Sequence, residues 1–255
     1  MIVPRLNAPL VLVPGLLGFG ELRLGRQTLA SYFPGIVPLL RAAGNRTLVH
    51  WPNPTAGVAQ RARRLGRFIR RHLGDQPIHL LAHSLGGLDA RYLISRLGFA
   101  RQVLTLTTIG TPHRGTTFAD WGVRCLAPML QPVFRCCGVP DQAFYDLTTT
   151  ACRRFNAEVP DAPGVRYFSV AGWWHGPWRS PTWKFPHRLV DQAEGPNDGV
   201  VSVSSATYGE HCLLWPADHL GLVNWPNLPA RLRGLPQDGR PLYATLLRRL
   251  ADAGF

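Results

Sequence analysis

The sequence lacks an apolar run long enough to cross a membrane. Its first apolar run, within residues 1–13, is shorter than the roughly 20 residues that a membrane-spanning helix needs. The run ends in Pro14-Gly15 and not at a small-residue cleavage site, so it does not resemble a secretory signal. A cytoplasmic location is therefore favoured over secretion.

Lysine is nearly absent as well. Lys184 is the single lysine, so arginine supplies almost the whole formal net charge of +13. Basic patches attract nucleic acid or anionic membranes. No tract combines a basic run with the interleaved aromatic residues of a nucleic-acid site. We therefore interpret the arginines as charges spread over solvated surface and expect no nucleic-acid partner.

Cysteine is sparse, and its spacing fits no metal or redox motif. Five cysteines leave at least one thiol unpaired within the chain. No pair has zinc-site spacing, and Cys136 and Cys137 are adjacent, unlike a CxxC redox site. Four of the five lie between residues 125 and 152, where one local disulfide is left open.

Apolar runs and amphipathic stretches alternate along the first 110 residues. We predict strands at 9–13, 46–50, 78–82 and 103–109, and helices at 29–43, 58–73 and 88–97. Such alternation indicates a parallel sheet covered by helices on both faces, an α/β fold. Further strands are predicted at 165–170 and 199–203. We expect one domain over 1–255 with an insertion at 116–163.

The helix predicted at 58–73 carries the densest basic run. Its apolar residues recur at helical spacing on one side of the helix. Its arginines lie mostly on the other faces, which predicts an ordinary solvated surface. They are Arg61, Arg63, Arg64, Arg67, Arg70 and Arg71.

Ser84 lies in a pattern typical of a catalytic nucleophile. It stands between a predicted strand and a predicted helix, with Ala82 two residues before it and Gly86 two residues after. Small residues are needed there because strand and helix approach closely at a strained turn. The turn also places the Leu85 N–H at a helix N-terminus, where it can bind an oxyanion. The alternative is a serine that only caps the helix.

A glycine-containing loop follows the first strand. Hydrolases with such a serine turn take a second oxyanion donor from a loop of this kind. We assign the Leu16 N–H to that role, and the alternative is an ordinary turn between strand and helix.

A carboxylate and a histidine must follow the serine in that order. Asp198 lies in an Asn-Asp-Gly turn and can orient a histidine, and His219 can take the serine proton. Asp218 is a poor acid partner because successive side chains of an extended loop point apart. The rivals are His175, His187 and His211 for the base and Asp191 for the acid.

The first 125 residues resemble the bacterial true lipases of the Pseudomonas and Burkholderia type. The resemblance implies the α/β-hydrolase fold, with Ser84 as nucleophile, Asp198 as acid, His219 as base and the Leu16 N–H as oxyanion donor. It rests on the segments VLVPGLLGFG (11–20), SYFPGIVPLLRAAG (31–44), LLAHSLGG (80–87) and TIGTPHRGT (108–116).

The chain departs from that family at several points. Pro14-Gly15 replaces the usual His-Gly of the oxyanion loop. The family's calcium aspartate, two residues after the base, is Gly221 here, and residues 172–181 offer no clear substitute for the second. The family's disulfide partner after the acid is missing at 203–205. The resemblance therefore implies neither a metal site nor that disulfide.

Residues 116–163 correspond to the position of the lid in these lipases. Their apolar residues could form the underside of a mobile lid or the wall of a fixed cap. A tryptophan-rich segment follows, which is either an exposed binding surface or buried packing. Our candidates for substrate contact are Leu17, Phe118, Trp121, Trp173 and Trp174.

We therefore expect a monomeric serine carboxylic ester hydrolase, a lipase that needs no cofactor. Its substrate would be an ester or lipid, with transient contact at a lipid interface. A short-chain esterase, a hydrolase of aromatic polyesters or an acyltransferase could use the same residues. A catalytically silent binding protein of the same fold is the alternative from another class.

Overall fold

The computed structural model describes residues 2–25 and 27–255. These residues form a six-stranded sheet in which every neighbouring pair is parallel, in the order β4-β1-β5-β6-β7-β8. A separate antiparallel hairpin is formed by β2 and β3. The strands are β1 (Leu10–Val13), β2 (Glu21–Leu24), β3 (Gln27–Ser31), β4 (Thr47–Val49), β5 (Ile78–His83), β6 (Val103–Ile109), β7 (Arg166–Gly172) and β8 (His211–Trp215).

Helices cover both faces of the sheet and fill the insertion. They are α1 (Ile36–Ala42), α2 (Val58–Leu73), α3 (Leu85–Arg96), α4 (Thr117–Cys125), α5 (Ala127–Cys136), α6 (Gln142–Asp146), α7 (Thr149–Glu158), α8 (Lys184–Glu194), α9 (Val203–Ala206), α10 (Leu228–Leu232) and α11 (Arg240–Asp252). In the described part of the chain, no helix is both long and apolar enough to cross a membrane.

Alternating side chains of the buried strands pack into two hydrophobic cores, one on each face of the sheet. Leu10 and Leu12 of β1 pack on one face with residues of α1 and α11. Val11 and Val13 point to the other face and pack with residues of α2 and α3. This division follows from the two-residue period of a strand. The predicted sheet with helices on both faces is confirmed.

The helix predicted at 29–43 is wrong in its first part. Residues 27–31 form β3, which pairs with β2, and α1 begins only at Ile36. Gly35 has a φ of 75°, in the left-handed region, so no helix runs through it from the preceding residues. Pairing within the hairpin therefore overrides the helical pattern.

The strand predicted at 199–203 is also wrong. Asn197 and Ser202 form a single antiparallel bridge, and residues from Val203 onward form α9. The Ser202 side chain accepts a hydrogen bond from the Ser205 N–H and so caps that helix. The sheet ends instead at β8 (His211–Trp215).

One arginine of α2 contradicts the prediction of a solvated basic face. The other five are exposed as predicted, but Arg61 is fully buried. Its Nε donates to Asp89 Oδ2 at 2.8 Å, and its Nη2 donates to the carbonyls of Pro14 and Gly15 at 2.8 and 3.0 Å. Position 61 lies beside the buried stripe of the helix, one turn from Val58 and Leu65, so a paired guanidinium can turn inward there.

The helices of the insertion differ in how much apolar surface they bury. Neither α4 nor α5 has a fully buried residue. By contrast, Ala143, Leu147 and Cys152, in and beside α6 and α7, pack with Leu85 and Leu88 of α3. All five cysteines are free thiols, so the local disulfide left open by the sequence is not formed.

Candidate active site

The serine turn is held in a strained conformation by close packing. Ser84 links β5 to α3 with a φ of 54°, which is uncommon for a residue with a Cβ. A Cβ on Gly86 would come within 2.7 Å of the Val13 carbonyl oxygen, so only glycine fits there. The strand, turn and helix therefore form the strained elbow that the sequence predicts.

Three predicted residues from distant parts of the chain meet at this turn. His219 Nε2 lies 3.0 Å from Ser84 Oγ, and His219 Nδ1 lies 2.7 Å from Asp198 Oδ2. Because a carboxylate can only accept, Nδ1 carries the proton, and Nε2 is left to accept from the serine hydroxyl. All three side chains are buried.

Backbone hydrogen bonds fix the acid and the base relative to each other. Asp198 Oδ1 accepts from the N–H groups of Val200 and Val201 at 3.1 and 2.9 Å. The His219 N–H donates to the Asp198 carbonyl at 2.9 Å. The carboxylate therefore keeps its second oxygen aimed at the histidine ring.

His83, the residue before the serine, connects His219 to the oxyanion loop through hydrogen bonds. Its Nε2 lies 3.0 Å from the His219 carbonyl, which can only accept, so His83 Nδ1 must accept from the Tyr32 hydroxyl at 2.9 Å. The Gly15 N–H in turn donates to Tyr32 Oη at 3.3 Å. Burial holds the pKa of His83 well below its usual value and raises the pKa of Tyr32 to about 12. Both groups therefore stay neutral and keep this pattern.

The two predicted oxyanion donors lie beside the serine with free N–H groups. Leu85 is the first residue of α3, so its N–H has no acceptor within the helix. Within the described residues the Leu16 N–H also has no acceptor, although the next two N–H groups donate to Pro54 and Gly15 carbonyls. A Cβ on Gly15 would meet the Ser84 Cβ at 2.7 Å, so glycine is what allows this close approach.

An apolar cavity of about 330 Å³ opens above the serine. Its floor includes Ser84, His219, Leu16 and Tyr32, and the insertion supplies its roof. The roof and walls are mainly aliphatic and aromatic: Phe118, Ala119, Val123, Leu126, Leu130, Phe134, Phe144, Tyr145, Leu147, Trp183, Val200 and Leu220. Such a site favours an apolar ligand group.

The structure places only some of the predicted substrate contacts at this cavity. Phe118 lines it, and Trp121 stacks beside Phe118 with ring centroids 6.1 Å apart. Leu17 is 63% exposed and Trp173 is 40% exposed, outside the lining. Trp174 is buried, and its backbone N–H donates to the Asn197 carbonyl.

Sequence reasoning missed several lining residues. Phe144 and Tyr145 lie inside the predicted insertion, so its aromatic content was the signal that could have singled them out. Tyr32 lies in a segment that carried the family resemblance, but no local pattern indicates that its hydroxyl contacts His83. Trp183 lies in the tryptophan-rich segment that the sequence singles out, but it was not among the residues chosen as substrate contacts.

The rival acids and bases lie away from the serine. His187 Nδ1 contacts the Asn197 side chain at 3.0 Å, and the His175 ring packs edge-on against Trp173. His211 and Asp191 are exposed. The geometry therefore favours His219 and Asp198 as partners of Ser84 over these alternatives.

Within the ranges that the structure describes, no group of three or more histidine, cysteine or acidic side chains could hold a metal ion. At the position of the family's calcium aspartate the chain has Gly221. Its N–H donates to Asp218 Oδ1 at 2.7 Å. The predicted lack of a calcium site stays a prediction.

The parallel sheet and the serine elbow at its edge are those of the α/β-hydrolase fold, and the predicted fold class is confirmed. Among solved structures, the mature lipase of Bacillus licheniformis superposes with a TM-score of 0.71 at 22% identity, over 96% of this chain and 92% of that chain. At that identity the likeness concerns the fold alone.

No protein-family model matches the chain. Triacylglycerol lipase 2 of Saccharomyces cerevisiae is 31% identical over an alignment of 216 positions, which covers 77% of this chain and 63% of the relative. The triacylglycerol lipase of Burkholderia plantarii is 32% identical over an alignment of 119 positions, which covers 44% of this chain and 32% of the relative. The chain thus spans less than two thirds of either curated relative. The predicted resemblance to bacterial triacylglycerol lipases is confirmed.

Proposed function

We propose that this chain is a serine carboxylic ester hydrolase, a lipase that acts on acyl esters without a cofactor. The observation that carries the proposal is the contact of 3.0 Å between His219 Nε2 and Ser84 Oγ at the floor of an apolar cavity. A buried serine that is hydrogen-bonded to a histidine, which is in turn hydrogen-bonded to an aspartate, is the arrangement that activates a hydroxyl nucleophile.

In the first half of the reaction, Ser84 Oγ attacks the ester carbonyl carbon while His219 Nε2 takes the hydroxyl proton. Asp198 stabilises the imidazolium that forms. The Leu16 and Leu85 N–H groups donate to the oxyanion. When the intermediate collapses, the bond from carbon to the alcohol oxygen breaks, and His219 returns its proton to the leaving alcohol.

In the second half, water attacks the acyl-enzyme. His219 takes one proton from the water, and the hydroxide adds to the acyl carbon of the Ser84 ester. The same N–H groups hold the second oxyanion. Collapse releases the carboxylic acid and returns the proton to Ser84 Oγ, so the cycle consumes one ester and one water.

The cavity supports an acyl chain as the group that is bound. Its lining is mainly aliphatic and aromatic, and burial of each methylene contributes about 0.8 kcal/mol. We assign Phe118 to contact with this chain, and Trp121 to support Phe118 by stacking. The names of the curated relatives, which are triacylglycerol lipases, support a lipid ester over a polar one.

We further propose that the moving part of the insertion at 116–163 is α5. Leu126, Leu130 and Phe134 follow one another at helical spacing and line the cavity. Met129 and Val133 point outward, 74% and 58% exposed. Because α5 has no buried residue, little apolar burial opposes its displacement. Its outer face would contact a lipid interface transiently while the protein stays monomeric.

The test is a series of nitrophenyl esters with acyl chains from two to sixteen carbons, together with emulsified triacylglycerol. We expect wild type to prefer medium or long chains and to gain activity once an emulsion forms. Ser84→Ala should lose at least about 10³-fold in kcat. Retained activity in that variant would overturn the mechanism. A preference for short soluble esters without a gain at the interface would make the protein an esterase instead.

A further inference from the structure

Arg179 lies in the tryptophan-rich segment between β7 and α8, and its guanidinium binds the loop that follows His219. Its side chain is 13% exposed. Nε and Nη2 donate to Asp218 Oδ1 at 3.2 and 2.8 Å, and Nη2 also donates to the Trp225 carbonyl at 2.7 Å. Nη1 donates to the Pro226 carbonyl. One guanidinium therefore joins both ends of the segment 218–226.

Asp218 is the other half of this contact, and it is buried. Its Oδ1 also accepts from the Gly221 N–H at 2.7 Å, and its Oδ2 accepts from Asn227 Nδ2 at 2.9 Å. The same Asn227 amide donates to the Pro177 carbonyl at 2.9 Å, on the segment that carries Arg179. The Asp218 carboxylate is therefore surrounded by donors, and the Arg179 guanidinium is the cation that compensates its buried charge.

The position of this pair matters because His219 is the next residue. On its other side, the His219 backbone is held by the Asp198 carbonyl and by His83. The ring must keep Nε2 near Ser84 Oγ, and a misplacement of about 1 Å can cost 10²-fold in rate. The Arg179 contact fixes the remaining side of the loop.

We propose that Arg179 is a positioning residue that holds the base His219 in register with Ser84, acting through Asp218. Arg179 is not among the residues that line the cavity, and its hydrogen bonds go to Asp218, Trp225 and Pro226 and not to a reacting atom. The inference rests on the proposed function, because it concerns the same serine and histidine.

The test measures kcat, KM and the pH profile of kcat/KM for Arg179→Met on a soluble nitrophenyl ester. We expect kcat to fall by about 10- to 100-fold while KM changes less than about threefold, since the cavity is untouched. The fall of kcat/KM on the acid side of the profile should move to higher pH, because the uncompensated Asp218 charge favours the imidazolium form of His219. His219 also faces Asp198 and the His83 ring, 4.6 Å away, and neither changes in the variant.

Arg179→Lys is the conservative variant. Lysine keeps the positive charge but lacks the planar guanidinium that bonds to the carboxylate and two carbonyls together. The acid side of the pH profile should therefore return to that of wild type, whereas kcat should recover only in part. If Arg179→Met does not fold, the kcat and KM of Arg179→Lys test the proposal in its place. A normal kcat in Arg179→Lys would then overturn the proposal, and a loss of kcat with an unchanged KM would support it.

Arg240→Met is the matched control. Arg240 also pairs with an aspartate, Asp238 at 2.8 Å, but both side chains are about half exposed, and within the described residues no hydrogen bond joins Arg240 to Asp218 or His219. It should keep wild-type kcat and pH profile. A wild type without esterase activity would refute the proposed function. An active wild type with an equally active Arg179→Met would refute this inference alone.

Discussion

Arg61 lies at the base of the loop that carries the Leu16 N–H. Its guanidinium donates to the Pro14 and Gly15 carbonyls and pairs with Asp89. The Gly15 carbonyl and the Leu16 N–H belong to one trans peptide and point in opposite directions, so a carbonyl held by Arg61 leaves the N–H on the opposite side. A buried cation thus helps to set the geometry of the proposed oxyanion site.

We predict that Arg61→Met lowers the free energy of unfolding by about 3–5 kcal/mol, because it leaves the Asp89 carboxylate buried without a cation. Arg63→Met, on the exposed face of the same helix, should change it by less than about 0.5 kcal/mol. Urea unfolding measures both. Equal effects in the two variants would show that the buried pair has no special role.

The positions of single site residues were predictable where local context decides them. Ser84 could be predicted because a strand, a small-residue turn and a helix occur together in the sequence. Asp198 and His219 could be selected from the chain order of serine, acid and base together with short local motifs. Arg61 could not be separated from its exposed neighbours, because its partner Asp89 lies on another helix. Arg179 could not be found either, since its contacts lie 39 residues or more away.

At the scale of elements, the sequence predicts the strands of the sheet up to β7 well, but it misses the hairpin and misplaces the last strand. Strand β6 and helix α2 have the predicted bounds, because both carry a strong apolar period. The hairpin of β2 and β3 was missed, since its pairing depends on contact between two segments of mixed polarity. The last strand was placed too early for a similar reason. Its true residues, His211–Trp215, contain a short apolar run from Cys212 to Trp215, but all except Trp215 are exposed or half-buried.

The insertion illustrates the same limit. Its composition predicts an apolar cap, but a choice between a fixed and a moving cap needs burial of each helix. The packing of α6 and α7 on α3, set against the lack of buried residues in α4 and α5, divides the insertion into two halves. That division is the physical basis for assigning movement to α5.

At the scale of the whole molecule, four buried histidines make stability depend on pH. Burial lowers the pKa of His50 to about 3 and of His79 to about 4, and holds those of His83 and His113 well below the usual value. Unfolded histidine binds protons below about pH 6.5, so acid favours the unfolded state. The stability is therefore present above pH 6.5 and is lost as the pH falls. Asp89, whose pKa burial raises to about 7, acts in the opposite sense and offsets one histidine.

His50 allows this dependence to be tested, because within the described residues neither of its ring nitrogens has a hydrogen-bond partner. His50→Leu should reduce the slope of unfolding free energy between about pH 6 and pH 4 by about 1.4 kcal/mol per pH unit, one proton. The exposed His211→Gln should leave the slope unchanged. Denaturant unfolding at several pH values measures this slope. An unchanged slope in His50→Leu would mean that His50 is protonated in the folded protein.

The central claim is that Ser84 is the nucleophile, and covalent capture tests it most directly. A nitrophenyl alkylphosphonate mimics the ester and leaves a stable phosphonyl group on an activated serine. We predict one adduct per chain, located on Ser84 by peptide mass analysis, with loss of esterase activity in the same proportion. An adduct on another residue, or full labelling of Ser84→Ala, would contradict the account.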